Sequence, residues 1–201
     1  MILHFITGNP KKVLSANKHL AGSGITVLQK NTELIEPQAD TLREVALAKA
    51  NQVKDMGDAS FIVLDAGLVV PGLKGFPGVY TKYVQQTLFS EGLKALVDAR
   101  CPDKREAYFE HVIVLTHKGH QYVFEDRYQG SIAKYVHPQR TTKGWSDFER
   151  IFVPKGCDKV LAQMSVEDDL ANEKSARPVS AWDLLKKHLL EIQQPDALEL
   201  V

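Results

Sequence analysis

One stretch constrains this chain more than any other. It reads Phe61-Ile-Val-Leu-Asp65-Ala-Gly-Leu-Val-Val-Pro-Gly-Leu-Lys-Gly75-Phe-Pro-Gly-Val-Tyr80-Thr-Lys82. It opens as a short apolar run of the kind that fills a buried strand. One carboxylate, Asp65, interrupts that run. Burying an unpaired carboxylate is expensive, so an acid at the end of such a strand needs a metal, a donor or a cation to meet. Four glycines and two prolines follow Asp65, which marks a rigid, tightly turning loop. Tyr80 and Lys82 close it. A strand that ends in an acid and feeds a Gly/Pro loop carrying a lysine can hold an anionic ligand together with a cation.

A second stretch repeats this logic near the N-terminus. Leu3 to Ile6 reads as a strand that ends at Thr7-Gly8-Asn9-Pro10-Lys11-Lys12, after which Val13, Leu14, Asn17 and Leu20 continue at helical spacing. Asn9 suits an N-cap and Pro10 the first helical position. A helix N-terminus after a strand directs backbone N–H groups outward, and Thr7 and two lysines beside them make a phosphate cradle. Solvated lysines on an ordinary strand–turn–helix are the alternative, because no Walker spacing is present.

Thr26 to Leu28 reads as a second strand. Glu36 stands before Pro37 in a loop, where an acid is usually solvated. Thr41 to Val53 reads as a helix with a Thr41/Glu44 capping box, and Lys49 lies at the edge of its apolar face, a place where lysines usually snorkel. Tyr83 to Val97 reads as two helical parts broken at Ser90-Glu91-Gly92. Arg105 to Thr116, Gln121 to Glu125 and Gly130 to Val136 read as strands of a meander, with His111 and His117 as ordinary strand and turn residues. Trp145 in its Gly-Trp loop offers a stacking surface for a base, or a packing anchor. A final helix starts at a Ser180/Asp183 capping box, with Ala181, Leu184, Leu185 and His188 on one face.

Composition excludes several classes. Lys+Arg and Asp+Glu both number 25, so the chain lacks the basic excess of a general nucleic-acid binder. Cys101 and Cys157 form no metal-ligand spacing, and the seven histidines show no paired motif. No apolar run approaches the roughly 20 residues of a membrane span. The expectation is a cytoplasmic protein with one domain over residues 1–192 and a loose tail over 193–201.

Taken in order, these stretches resemble the inosine/xanthosine triphosphate pyrophosphatase family, from about Leu3 to Leu190. Thr7 to Lys12 resembles its TGNxxK phosphate loop, and Leu73 to Lys82 its LGGxPGxYxK loop. Gly144-Trp145 is similar to its base-stacking segment, followed by Ile151-Phe-Val-Pro-Lys-Gly. Glu173-Lys174-Ser-Ala resembles its EKNAxSHR element. The resemblance implies an α/β fold in which a mixed, strongly bent sheet is flanked by helices and two lobes enclose the active-site cleft. It implies Mg²⁺-dependent hydrolysis of a nucleoside triphosphate to the monophosphate and pyrophosphate by a homodimer. Glu36 and Asp65 fall at its metal carboxylates, with Asp65 also the general base or water orienter. Lys49 matches a substrate lysine acting with Asp65. Thr7, Gly8, Asn9, Lys12, Ala66, Lys82, Trp145, Asp147, Lys174 and Arg177 fall at or beside substrate positions.

The departures lie beside Asp65 and in the base-reading segments. Leu64 and Ala66 stand where the family has a second acid and a hydroxyl. Trp145-Ser146-Asp147 replaces an aromatic–Asp pair, and Val179-Ser180 replaces the His-Arg pair that reads a 6-keto purine, with Arg177 as a candidate substitute. A site that loses such donors loses discrimination steeply. The sequence therefore leaves two readings: a pyrophosphatase with altered base recognition acting on a non-canonical or modified nucleotide, or a catalytically weak nucleotide-binding sensor on the same fold.

Overall fold

The sheet is built around two long antiparallel strands, β4 (Glu106–His117) and β5 (His120–Ile132), paired from Glu106↔Ser131 to His117↔His120. Lys118 and Gly119 join them with φ of 48° and 78°, the left-handed pair that matches the twist of a two-residue hairpin. A computed structural model describes residues 1–54, 56–57, 59–138, 146–165, 168, 172 and 174–193. Trp145, Glu173 and residues 194–201 of the expected tail lie outside the described residues.

Around the hairpin the chain builds a mixed six-stranded sheet, flanked by helices. β1 (Ile2–Ile6) lies parallel to both β2 (Thr26–Lys30) and β3 (Phe61–Val69). β3 is antiparallel to β4, and β5 is antiparallel to β6 (Phe152–Pro154), giving the order β2-β1-β3-β4-β5-β6. Helices α1 (Pro10–His19) and α5 (Ala181–Gln193) cover one face with Leu3, Phe5, Leu64, Ile113 and Trp182. Helix α2 (Leu42–Gln52) covers the other, against Ile6, Val63, Val112 and Val114. A third core lies at the far end of β3–β6, where α4 (Phe89–Arg100) follows α3 (Thr81–Thr87).

Local signals hold where they are local. Asn9 accepts from Lys11 N and caps α1, with Pro10 in the first turn. Thr41 and Glu44 form the expected capping box, and Ser180 and Asp183 exchange hydrogen bonds at the start of α5. Other expectations need correction. β3 does not end at Asp65; it runs four residues further, because Ala66 to Val69 pair with His111 to Tyr108. β5 is one strand rather than two: Glu125, Arg127 and Gln129 are the outward positions of an alternating strand, not a break. The helical break falls at Leu88-Phe89, where Phe89 takes φ 54°, ahead of the Gly92 that suggested it. On α5 it is Trp182 and Leu189 that are buried with Ala181 and Leu185, while Leu184 is exposed and His188 packs against Tyr122 and Phe124.

Candidate active site

The site exists because β1 is short. It ends at Ile6 and pairs with β3 only at His4↔Phe61 and Phe5↔Ile62. Beyond that point the β1-side edge of β3 has no strand partner among the described residues, and Thr7 to Lys12 turn across it instead. Lys12 Nζ reaches 3.3 Å from the Leu64 carbonyl oxygen and so satisfies a group of that open edge. The N-terminus of α1 lies alongside.

Three acid–base residues meet at this edge from three segments. Lys49, near the end of α2, is 9% exposed. Its Nζ stands 3.1 Å from Glu36 Oε1 and 3.4 Å from Asp65 Oδ1. A buried ammonium held between two carboxylates is not a snorkelling lysine; its charge is spent inside the site. Burial pushes the Asp65 carboxyl above its ordinary range, against the pull of Lys49 and Lys12. At Glu36 burial also opposes the charge, but Lys49, Lys82 and Lys12 outweigh it and hold its pKa low. Lys12 is lowered by burial first and by Lys49 second. Two carboxylates in unlike environments can hold different protonation states, which acid–base chemistry requires.

The Gly/Pro loop is seated by close backbone contact. A Cβ on Gly67 would lie 2.4 Å from the Gly78 carbonyl oxygen, so only glycine lets the loop fold back onto β3. Thr81 locks it: the Leu68 amide donates to its Oγ1 at 2.8 Å, and Oγ1 donates to the Gly78 carbonyl oxygen at 2.7 Å. Lys82, the next residue, faces the same cleft.

The cleft has a volume of about 2310 Å³, ample for a nucleoside triphosphate. Thr7, Gly8, Asn9, Lys12, Glu36, Lys49, Asp65, Ala66, Lys82, Lys174 and Arg177 all line it. Asp147 does not. Its carboxylate accepts from Ser90 N at 2.8 Å and from Arg150, tying the Asp147–Arg150 turn to the first turn of α4. Two residues that sequence reasoning passed over stand in the site region. His111 lines the cleft, and its Nδ1 is 2.9 Å from Asp126 Oδ1. Strand alternation was the available signal for Asp126, which shares a face with Phe124 and Tyr128.

Among the described residues no three potential metal ligands cluster. Two hard carboxylates on one ammonium do fit Mg²⁺, which takes one or two protein carboxylates and completes its shell with water and substrate phosphate.

Fold and site together define a mixed α/β protein whose cleft sets two carboxylates against three lysines and a helix N-terminus. Residues 3–186 match the Ham1 family, and the chain belongs to it. It is 38% identical over 168 residues to dITP/XTP pyrophosphatase of Thermococcus kodakarensis, spanning 84% of this chain and 88% of that one. With dITP/XTP pyrophosphatase of Pyrococcus horikoshii it shares 34% identity over 182 residues, 90% of this chain and 95% of the other. In structure it resembles a nucleoside-triphosphatase, dITP/XTP pyrophosphatase, of Mycobacterium abscessus, with a TM-score of 0.69, 26% identity and coverage of 88% and 95%. A HAM1 protein of Coxiella burnetii shares the fold at a TM-score of 0.77 and 19% identity, covering 95% and 99%. Among the described residues no helix is long and apolar enough to cross a membrane.

Proposed function

We propose that this protein hydrolyses a nucleoside triphosphate to the monophosphate and pyrophosphate. One observation carries the reading: Glu36 and Asp65, from a loop and a strand, converge on the buried Lys49 ammonium beside the α1 cradle. The names of the relatives support the same chemistry. Glu36 and Asp65 would hold Mg²⁺, which when bound would neutralise triphosphate charge and polarise the phosphoryl group under attack. Lys12, Lys82 and the N–H groups at the start of α1 hold the phosphates. Asp65, raised by burial, accepts a proton from the attacking water, whose oxygen forms a bond to the α-phosphorus as the bond to the β-phosphate oxygen breaks. Lys49 keeps Asp65 oriented and partly charged, and pyrophosphate leaves with the electron pair.

The substrate in this reading is a non-canonical or modified nucleotide, met by a base pocket that lacks the His-Arg pair. The protein works as a cytoplasmic homodimer; exposed Tyr80, Tyr83, Leu88 and Phe89 around α3 offer the apolar surface an interface needs. The test is pyrophosphate release with Mg²⁺ across inosine, xanthosine, canonical and modified triphosphates. Asp65→Asn should abolish release and keep nucleotide affinity. A wild-type protein that binds nucleotide and releases no pyrophosphate from any of them would establish a sensor instead.

A further inference from the structure

Residues 31–41 link β2 to α2 and form neither helix nor strand. Glu36 stands in the middle of this link with its side chain 51% exposed, and Ile35 before it is 76% exposed. Leu34 packs against the core beside α2, but the two residues after it have no such burial. Mg²⁺ demands near-ideal geometry from its oxygen ligands, so a carboxylate on such a segment needs another restraint.

That restraint is a side chain of α2. The Ile35 amide donates to Gln52 Oε1 at 2.8 Å, and Gln52 Nε2 donates to the Ile35 carbonyl oxygen at 2.7 Å. Nε2 also donates to the Ala48 carbonyl oxygen, one turn back in α2, at 3.1 Å. A backbone N–H only donates and a backbone carbonyl only accepts, so these partners fix which way the amide is turned and use both of its N–H groups. The side chain pairs with Ile35 as a neighbouring strand would. Among the described residues, Ile35 and Glu36 make the only hydrogen bonds of residues 32–39.

Gln52 and Lys49 are three residues apart on one face of α2. They hold consecutive residues of the link by different means. Gln52 holds the backbone of Ile35, and Lys49 the carboxylate of Glu36 at 3.1 Å. The difference matters when a cation arrives. Lys49 competes with it for Glu36 and Asp65, as one positive charge against another. The Gln52 amide is neutral and touches neither carboxylate, so it stays in place while Glu36 changes partner. We propose that Gln52 is a positioning residue for the metal site, clamping Ile35 so that Glu36 meets the same divalent cation as Asp65. The inference rests on the reading of Glu36 and Asp65 as metal carboxylates. A residue that orients a metal ligand without touching the metal is worth about 10- to 100-fold in affinity.

The test titrates Mn²⁺, a paramagnetic stand-in for Mg²⁺, into nucleotide-free protein and reads the free ion by electron paramagnetic resonance. Inorganic tripolyphosphate, titrated by calorimetry without metal, probes the lysines and the α1 N-terminus, which Gln52 does not touch. Gln52→Met keeps the length of the side chain and removes the amide; Gln52→Ala removes it with the best helix former in its place. Both variants should bind Mn²⁺ about 10- to 100-fold more weakly than wild type, with tripolyphosphate affinity held within about twofold. The loss should not exceed that of Glu36→Gln, because Gln52 acts through Glu36. Mn²⁺ affinity unchanged in both variants, or reduced beyond that of Glu36→Gln, overturns the proposal. So does a parallel loss of both ligands, or of the fold in both variants, since Gln52 would then be structural. A wild-type protein that binds tripolyphosphate and no Mn²⁺ removes the metal reading of Glu36 and Asp65, and this inference with it.

Discussion

Lys49→Met replaces the buried ammonium with a side chain of similar length. Removing one partner of a fully buried pair costs about 3–5 kcal/mol. Here Asp65 is 15% exposed at its side chain and Glu36 51%, so the Asp65 contact carries most of the effect and the Glu36 contact is largely screened. We expect a loss of about 2–3 kcal/mol, and, at about 2–4 °C per kcal/mol for a chain of this size, a melting temperature lower by about 4–12 °C. The sign with pH follows from the carboxylates. Asp65 is already raised by burial, and without Lys49 it rises further. A protonated Asp65 has no charge for Lys49 to offset, so the deficit is widest above its raised pKa and narrows as pH falls through it. Glu36, held low, loses its own pairing stability as pH falls below its ordinary 4.5, which narrows the gap further. Differential scanning fluorimetry from pH 4 to 8, with and without Mg²⁺, checks this. Mg²⁺ should raise the variant's melting temperature more than the wild type's, because both carboxylates have lost their internal counter-charge. A gap that does not vary with pH, together with equal Mg²⁺ shifts, would refute the assignment of Glu36 and Asp65 as one cation-binding pair.

Gly67→Ala places a Cβ 2.4 Å from the Gly78 carbonyl oxygen, so the loop must move. Pyrophosphate release should fall at least tenfold, since Lys82 shifts with the loop, and an unchanged rate would show that the loop does not position it. Asp147→Ala removes the acceptor for Ser90 N and should cost about 1–2 kcal/mol in urea unfolding, without altering relative rates among bases. A changed base preference with unchanged stability would instead make Asp147 a substrate contact. Asp126 is held below its ordinary 3.8, so its stabilisation is present at and above that pH and is lost as pH falls through the lowered value. Asp126→Asn should therefore be less stable than wild type by about 3 kcal/mol at pH 7, with the gap closing only below about pH 4; a gap already closed at pH 6 would contradict the pairing with Arg177 and Ala181 N.

What the sequence settled by itself is chemistry written in consecutive residues. The Asn9 cap, the Thr41/Glu44 box and the glycine-rich loop after Asp65 act over a few residues, and their spacing states what they do. Lys12, Asp65 and Lys82 stood out for the same reason, Lys12 beside the Asn9 cap, Asp65 and Lys82 at the two ends of the glycine-rich stretch. Tertiary structure alone decided the rest. Lys49 looked like a surface lysine until the fold placed Glu36 and Asp65 against it, and Asp147 turned from the cleft because α4 needed an acceptor. His111, Asp126 and Arg177 belong to three segments, and no spacing in the chain links them. Their meeting depends on the register of β3, β4 and β5, where a slip of one residue would turn His111 to the opposite face of the sheet. Register is set by the whole buried face of a sheet, so which side chains look into the cleft is a property of the assembled core.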